Sequence, residues 1–268
     1  MKGAGQILLI CLLVFAQHVF ATQEFVTVPK GSLNPFWLKP KKNNQKLIYK
    51  VKSLQVQISQ VTNSDFIEFL KLNPQWTKSQ VPALFAEGGY LEQFADDQTV
   101  KSGVHLLSPV TSVSWFAARA YCESIQARLP TINEWEYLAA ASEKVKDANK
   151  NSKFLERILN WYGQPKEISI PQVRSIYKSL YGLHDMHGLV WEWVEDFNSS
   201  MVTGESREDT TFNRDLFCGA GSMNSGDKEN YAAFMRFAFR SSLKGNSALW
   251  NLGFRCVKEA SQIKSERK

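Results

Sequence analysis

The chain has 268 residues, is 44% hydrophobic and 22% charged, and carries a formal net charge of +6. Those proportions belong to a globular protein and exclude a disordered chain, a collagen and a bare coiled coil. The positive charge is dispersed, with no dense Lys/Arg block in the body of the chain, so composition gives no support to a nucleic-acid-binding face.

The elements follow in chain order. Lys2 precedes the apolar run Ile7 to Val14, and Val19-Phe20-Ala21 offers small residues where a signal peptidase cuts. The run falls short of the ~20 apolar residues of a transmembrane helix. Residues 1–21 therefore read as a cleaved secretory signal, with a retained anchor as the alternative. Cys11 with Ile10 before it fits a lipoprotein box poorly. The expectation is a periplasmic or secreted protein with no membrane span after cleavage. In that oxidising space a disulfide persists. The cysteines left, Cys122, Cys218 and Cys256, allow one bridge and one free thiol, and counting does not choose the pair.

Residues 22–55 are polar, basic and proline-containing, and read as an N-terminal extension. From Leu54, LQVQISQVT alternates as a half-buried strand does. Thr62 with Asp65 resembles a capping box opening a short helix. Ser114 is placed to cap a second helix in WFAARAYCESIQ, and Thr131 with Glu134 to box a third, TINEWEYLAAA. Residues 143–180 read as charged surface loops, 181–197 as a turn feeding a strand, and 198–216 as a polar loop. FCGAGS reads as a glycine turn, YAAFMRFAFRSS and NLGFRCV as closing strands, and 259–268 as a charged tail. Eight Trp and 17 Phe point to a loop-rich core, because an indole buries a large area yet needs an N–H partner. Trp115, Trp135, Trp191 and Trp193 are read as core. This mixture predicts an α+β fold.

Four segments in this order resemble the formylglycine-generating-enzyme, or sulfatase-modifying-factor, family: VTNSDFIEFL (61–70), residues 109–141 around SVSWFAARAYCESIQARLPTINEWEYLAAA, YGLHDMHGLVWEW (181–193) and NLGFRC (251–256). With CGAGS (218–222) the resemblance extends over residues 56–258. It implies a single domain of that type, related to C-type lectin-like folds and low in regular secondary structure. It also implies that Cys122 and Cys256 form a structural disulfide, leaving Cys218 as the free thiol.

The resemblance carries two metal expectations. Members that generate formylglycine oxidise a sulfatase cysteine with copper held by two cysteines five residues apart, and soft thiolates select Cu(I). Anchored on Arg236 and Arg240, those positions hold Ala232 and Phe237 here, and residues 223–255 contain no cysteine. A structural calcium is implied at the turn before WEW, through the Asp185 side chain, the Gly188 and Val190 carbonyls and the Glu192 carboxylate. Calcium asks for 6–8 oxygens, so other groups would complete the shell. The family's second calcium site falls near Asn160-Trp161, where its carboxylate is missing.

His184 and His187 have H-x-x-H spacing but sit in a glycine-bounded turn, and read as structural histidines rather than a metal pair. Arg236, Arg240 and Arg255 read as hydrogen-bond networks beside the former active-site groove, with Cys218 and His184 as its other candidate members. Whether copper or iron occupies a new site is left open. The stretch 217–256 looks most like exported accessory proteins encoded beside copper nitrite reductases. The expectation is thus an exported accessory or maturation factor with a protein or peptide partner, such as a copper redox enzyme. The alternatives are a cysteine-independent oxidase that tailors a secreted peptide or thiol, and a lectin-like ligand-binding module.

Overall fold

The computed structural model describes residues 24–33, 48–164, 169–198 and 228–260. The signal expected at 1–21, the loop and glycine turn around Cys218, and the last eight residues lie outside them. Three helices start where their caps place them. α1 (Asn63–Leu72) carries the Thr62/Asp65 capping box, α2 (Trp115–Ser124) the Ser114 cap, and α3 (Ile132–Ala139) the Thr131/Glu134 box. Each cap oxygen accepts a backbone N–H that the first helical turn leaves without a partner.

The helices pack around a small antiparallel sheet. In it β4 (Leu54–Gln57) lies between β1 (Phe25–Val28) and β7 (Val257–Glu259). Phe66 and Phe69 of α1, Tyr121 of α2 and Phe254 join in tilted and edge-on ring contacts 5.2–6.2 Å apart. β5 (Trp191–Glu192) pairs in parallel with β6 (Leu252–Gly253). At Gly253 a Cβ would stand 2.7 Å from the Val110 carbonyl oxygen, so only glycine lets the two chains approach. Few strands, short helices and long connections make this a single α+β domain. No helix among the described residues is long and apolar enough to cross a membrane.

Three expectations need correction. The described parts of the supposed extension, 24–33 and 48–55, belong to the domain: β1 pairs with β4, and β2 (Gly31–Leu33) pairs with β3 (Tyr49–Val51), burying Val28, Val51 and Leu54. Strands of three or four residues among prolines give too short a period to recognise. Within 143–180 the chain forms a helix, α4 (Ser152–Tyr162), capped by Asn151 and burying Phe154, Leu155 and Ile158. YAAFMRFAFRSS is no strand but most of α5 (Lys228–Ser241). Its buried Ala232, Phe234 and Arg236 alternate as in a strand, whereas Ala232, Arg236 and Arg240 form the helical stripe facing inward.

The disulfide joins Cys122 on α2 to Cys256 ahead of β7, 134 positions apart, with Cα atoms 5.6 Å apart. The Cys256 N–H also donates to the buried Gln57 side chain at 2.7 Å. Closing so long a loop restricts the unfolded chain. Cys256→Ser is expected to lower unfolding free energy by about 2–5 kcal/mol in urea titrations under oxidising conditions. An unchanged midpoint would mean that the bridge does not form in the protein.

Candidate functional site

Glu192 of β5 and Arg255 behind β6 are both fully buried, with their charged groups 2.8 Å apart. The guanidinium Nε and Nη2 donate to the two carboxylate oxygens, and Nη2 also donates to the His184 carbonyl at 2.8 Å. The Trp135 indole N–H donates to Glu192 Oε2 and the Gln60 amide to Oε1, each at 2.8 Å. Every oxygen of this carboxylate thus has two donors or more, the condition under which a buried charge is tolerated.

Asp185 is occupied in the same way. It sits at φ 55°, a left-handed conformation for which Asp is enriched. Its two oxygens accept the consecutive backbone N–H groups of Arg174, Ser175, Ile176 and Tyr177. Gly188, at φ 102°, completes the turn, and a Cβ there would meet Ile176 at 2.8 Å. The two carboxylates expected to hold calcium, Asp185 and Glu192, therefore already accept protein donors at both oxygens, a guanidinium among those at Glu192. As placed, neither carboxylate has an oxygen free for a calcium ion.

The copper position is equally altered. Ala232 is buried on α5 and Phe237 half-buried, and neither side chain is a copper ligand. One turn on, Arg236 and Arg240 both meet Glu136 of α3, at 2.6 and 2.7 Å. Arg236 also donates to the Tyr162 hydroxyl at 3.1 Å, and Arg240 lies over the Trp135 ring at 4.6 Å. These arginines form the buried hydrogen-bond network expected of them, and neither lines the two cavities described below. His184 lines neither of the two cavities described below, and its carbonyl is held by Arg255. The His187 ring is packed edge-on to Trp135 and Phe154, its Nε2–H donating to the Ala139 carbonyl. Among the described residues no group of three or more His, Cys, Asp or Glu is placed to hold a metal.

What lies open is an aromatic groove of about 630 Å³ between α4, the turn before β5 and the loop before β6. Trp161, Tyr162, Trp191 and Trp250 line it together with Lys153, Glu156, Arg157 and Asn251. Trp191 stacks on Tyr162 and Phe239 at 4.9 and 4.4 Å, and Trp161 tilts against Trp191 at 5.2 Å. Trp191, expected in the core, is only partly buried here, whereas Trp193 and Trp135 are core and donate their indole N–H groups inside the protein. A second, smaller cavity has a volume of about 220 Å³, and Ile170 and Trp250 line both. Sequence reasoning missed the groove because it missed α4. The Asn151 cap and the Phe154, Leu155, Ile158 spacing were the available signal. Nothing in the sequence marked Glu136 as the partner of two arginines a hundred residues away.

A family profile described as Sulfatase-modifying factor enzyme 1-like domain matches residues 13–260. The Bos taurus protein named Inactive C-alpha-formylglycine-generating enzyme 2 is 28% identical, over 81% of this chain and 80% of its own. The formylglycine-generating enzyme of Streptomyces coelicolor is 31% identical, over 57% of this chain and 53% of its own. Among solved structures, PvdO from Pseudomonas aeruginosa matches with a TM-score of 0.47 and 16% identity, over 88% of this chain and 94% of that one.

Two buried groups near the groove make stability fall with acid. Burial alone would raise the Glu136 carboxyl, but Arg236 and Arg240 outweigh it and hold the group at about 2, against an ordinary 4.5. Burial pushes the His187 imidazole down to about 3 from 6.5. Both folded-state values lie below the unfolded ones, so the unfolded chain binds the extra protons. The His187 contribution declines from pH 6.5 toward 3, and the Glu136 contribution from 4.5 toward 2. From pH 6.5 to about pH 5 the loss due to His187 is about 2 kcal/mol. His187→Leu is expected to flatten that part of the urea-unfolding profile while leaving the steeper loss below it. An unchanged slope would contradict a neutral buried imidazole.

Proposed function

The chain belongs to the sulfatase-modifying factor family, and we propose that it is an exported accessory or maturation factor that binds a segment of a partner protein. One observation carries this reading. Where copper-binding cysteines would stand are Ala232 and Phe237, the neighbouring arginines are locked on Glu136, and an open groove of aromatic rings runs beside them. Such a surface can bind but holds no thiolate pair to oxidise a substrate. The name of the Bos taurus relative, an inactive formylglycine-generating enzyme, is in keeping with a branch that has given up this chemistry.

The groove suits an extended peptide. Its rings, Trp161 and Trp250 among them, offer faces for apolar side chains, and Glu156, Arg157, Asn160 and Asn251 in the same lining offer polar groups to a peptide backbone. Sites of this kind place a few polar groups on an apolar wall. The partner we favour is a copper redox enzyme, on the resemblance of residues 217–256 to accessory proteins encoded beside copper nitrite reductases.

The test is binding of the mature protein to a copper nitrite reductase and to an array of synthetic peptides covering that enzyme. Binding is expected, and Trp161→Ala should weaken it about tenfold, as loss of an aromatic anchor does, without moving the unfolding midpoint. Equal binding by Trp161→Ala would remove the groove from the account. No binding to enzyme or peptides would overturn the copper-enzyme reading.

A further inference from the structure

We propose that a partner segment held in the aromatic groove continues out of it as an acidic stretch, its apolar and acidic side chains alternating, along an exposed strip that starts at Ile176; this rests on the reading of the groove as a peptide site. Ile176 lines the groove. From there the chain alternates, with Ile176, Lys178 and Leu180 exposed and Tyr177 and Ser179 buried. Lys178 also bridges His184 in the antiparallel sense. This is the two-residue period of a half-buried strand, so the three exposed side chains share one face.

A second segment extends the strip. The Leu180 N–H donates to the Ser142 carbonyl at 2.8 Å, which sets Leu180 against the turn from Ser142 to Val145. Within that turn the Ser142 N–H donates to the Val145 carbonyl at 3.0 Å, and the Ser142 hydroxyl accepts the Lys144 and Val145 N–H groups. Lys144, Val145 and Lys146 are all exposed. The Glu143 carboxylate of the same turn accepts from both terminal nitrogens of Arg157, at 2.5 and 3.3 Å, and Arg157 lines the groove. The turn is thus tied to the groove wall on one side and to Leu180 on the other.

Apolar and basic side chains take turns along this surface. Ile176, Val145 and Leu180 are 41%, 45% and 49% exposed, and aliphatic side chains left open together mark an interaction surface rather than scattered positions. The ammonium groups of Lys144, Lys146 and Lys178 contact no carboxylate of the described residues. Glu143 is offset by Arg157, so Asp147 is the acid that remains beside these lysines. A segment whose apolar side chains meet Ile176, Leu180 and Val145 places carboxylates against the lysines, and an extended chain of the same period does both at once. From Ile176 to Leu180 the strip spans ~13 Å, room for about five residues. Asp147 among the lysines, and continuity with a concave groove, favour a chain over a uniformly anionic membrane surface.

The experiment uses the whole protein and arrays of random hexapeptides that carry, at either end, a flank of Glu-Val-Glu-Val, Gln-Val-Gln-Val or Lys-Val-Lys-Val. The acidic flank alone, capped at both ends, and phosphatidylserine vesicles are titrated in parallel. The acidic flank is expected to strengthen binding about tenfold over the Gln flank, as several exposed ion pairs together do. Added salt should shrink that advantage. Combining Lys144→Gln, Lys146→Gln and Lys178→Gln should abolish it and leave the Gln-flanked peptides unaffected. All three positions are exposed, and an unchanged unfolding midpoint confirms that the variant is folded. Equal binding of acidic and Gln flanks, or a loss shared by both in the variant, overturns the proposal while the groove reading stands. Should no hexapeptide bind with any flank, the groove reading fails. Lysine-dependent binding of the isolated acidic flank then sustains the strip on its own, and no binding of it overturns the strip as well. Lysine-dependent binding of the vesicles, with no preference for acidic peptides, overturns the proposal in favour of a membrane surface.

Discussion

The fully buried ion pair between Glu192 and Arg255 is the constraint around which the rest of the domain is arranged. Two opposite charges removed from water persist only if their remaining donors and acceptors are met. Meeting them draws Trp135 from α3, Gln60 from the segment after β4 and the His184 carbonyl from the turn before β5 onto one point. The disulfide follows at the next residue, tying the same segment to α2. Strands of two to four residues could not hold these loops by backbone pairing alone, so a polar centre does work that a larger sheet performs elsewhere.

A second buried cluster repeats the device on the other side of Trp135. Glu136 accepts from Arg236 and Arg240, and these secure α5 against α3. Adjacent residues of one helix, Trp135 and Glu136, therefore serve two separate ionic centres. Between them the aromatic rings of α4, β5 and α5 stack into the wall of the open groove. Among the described residues, two buried ionic centres thus stand behind an open groove with aromatic and polar lining.

Local signals were legible in the sequence and long-range ones were not. The boxes at Thr62/Asp65 and Thr131/Glu134 announced their helices because capping is a matter of three residues. The cysteine pairing came through family resemblance, since spacing alone left three possibilities. By contrast α5 hid behind a run in which inward positions alternate and also recur every fourth residue. β1 to β3 hid because their stability comes from partners rather than from pattern. The resemblance implied a calcium set around one turn, but a sequence does not tell how many protein donors already reach its carboxylates. Four backbone N–H groups reach Asp185 and a guanidinium reaches Glu192, each from a position eight or more residues away.

The central claim is that the residues through which the family resemblance implied metal binding are here either engaged by protein donors, as at Asp185 and Glu192, or replaced, as at Ala232 and Phe237. Elemental analysis of the protein, purified without chelator, tests it most directly. The account predicts less than stoichiometric calcium, copper and iron, in a protein whose thermal unfolding is unmoved by calcium. One tightly held calcium per chain, with Arg255 displaced from Glu192, would contradict the first half of the claim. Stoichiometric copper or iron would contradict the second and restore a redox enzyme.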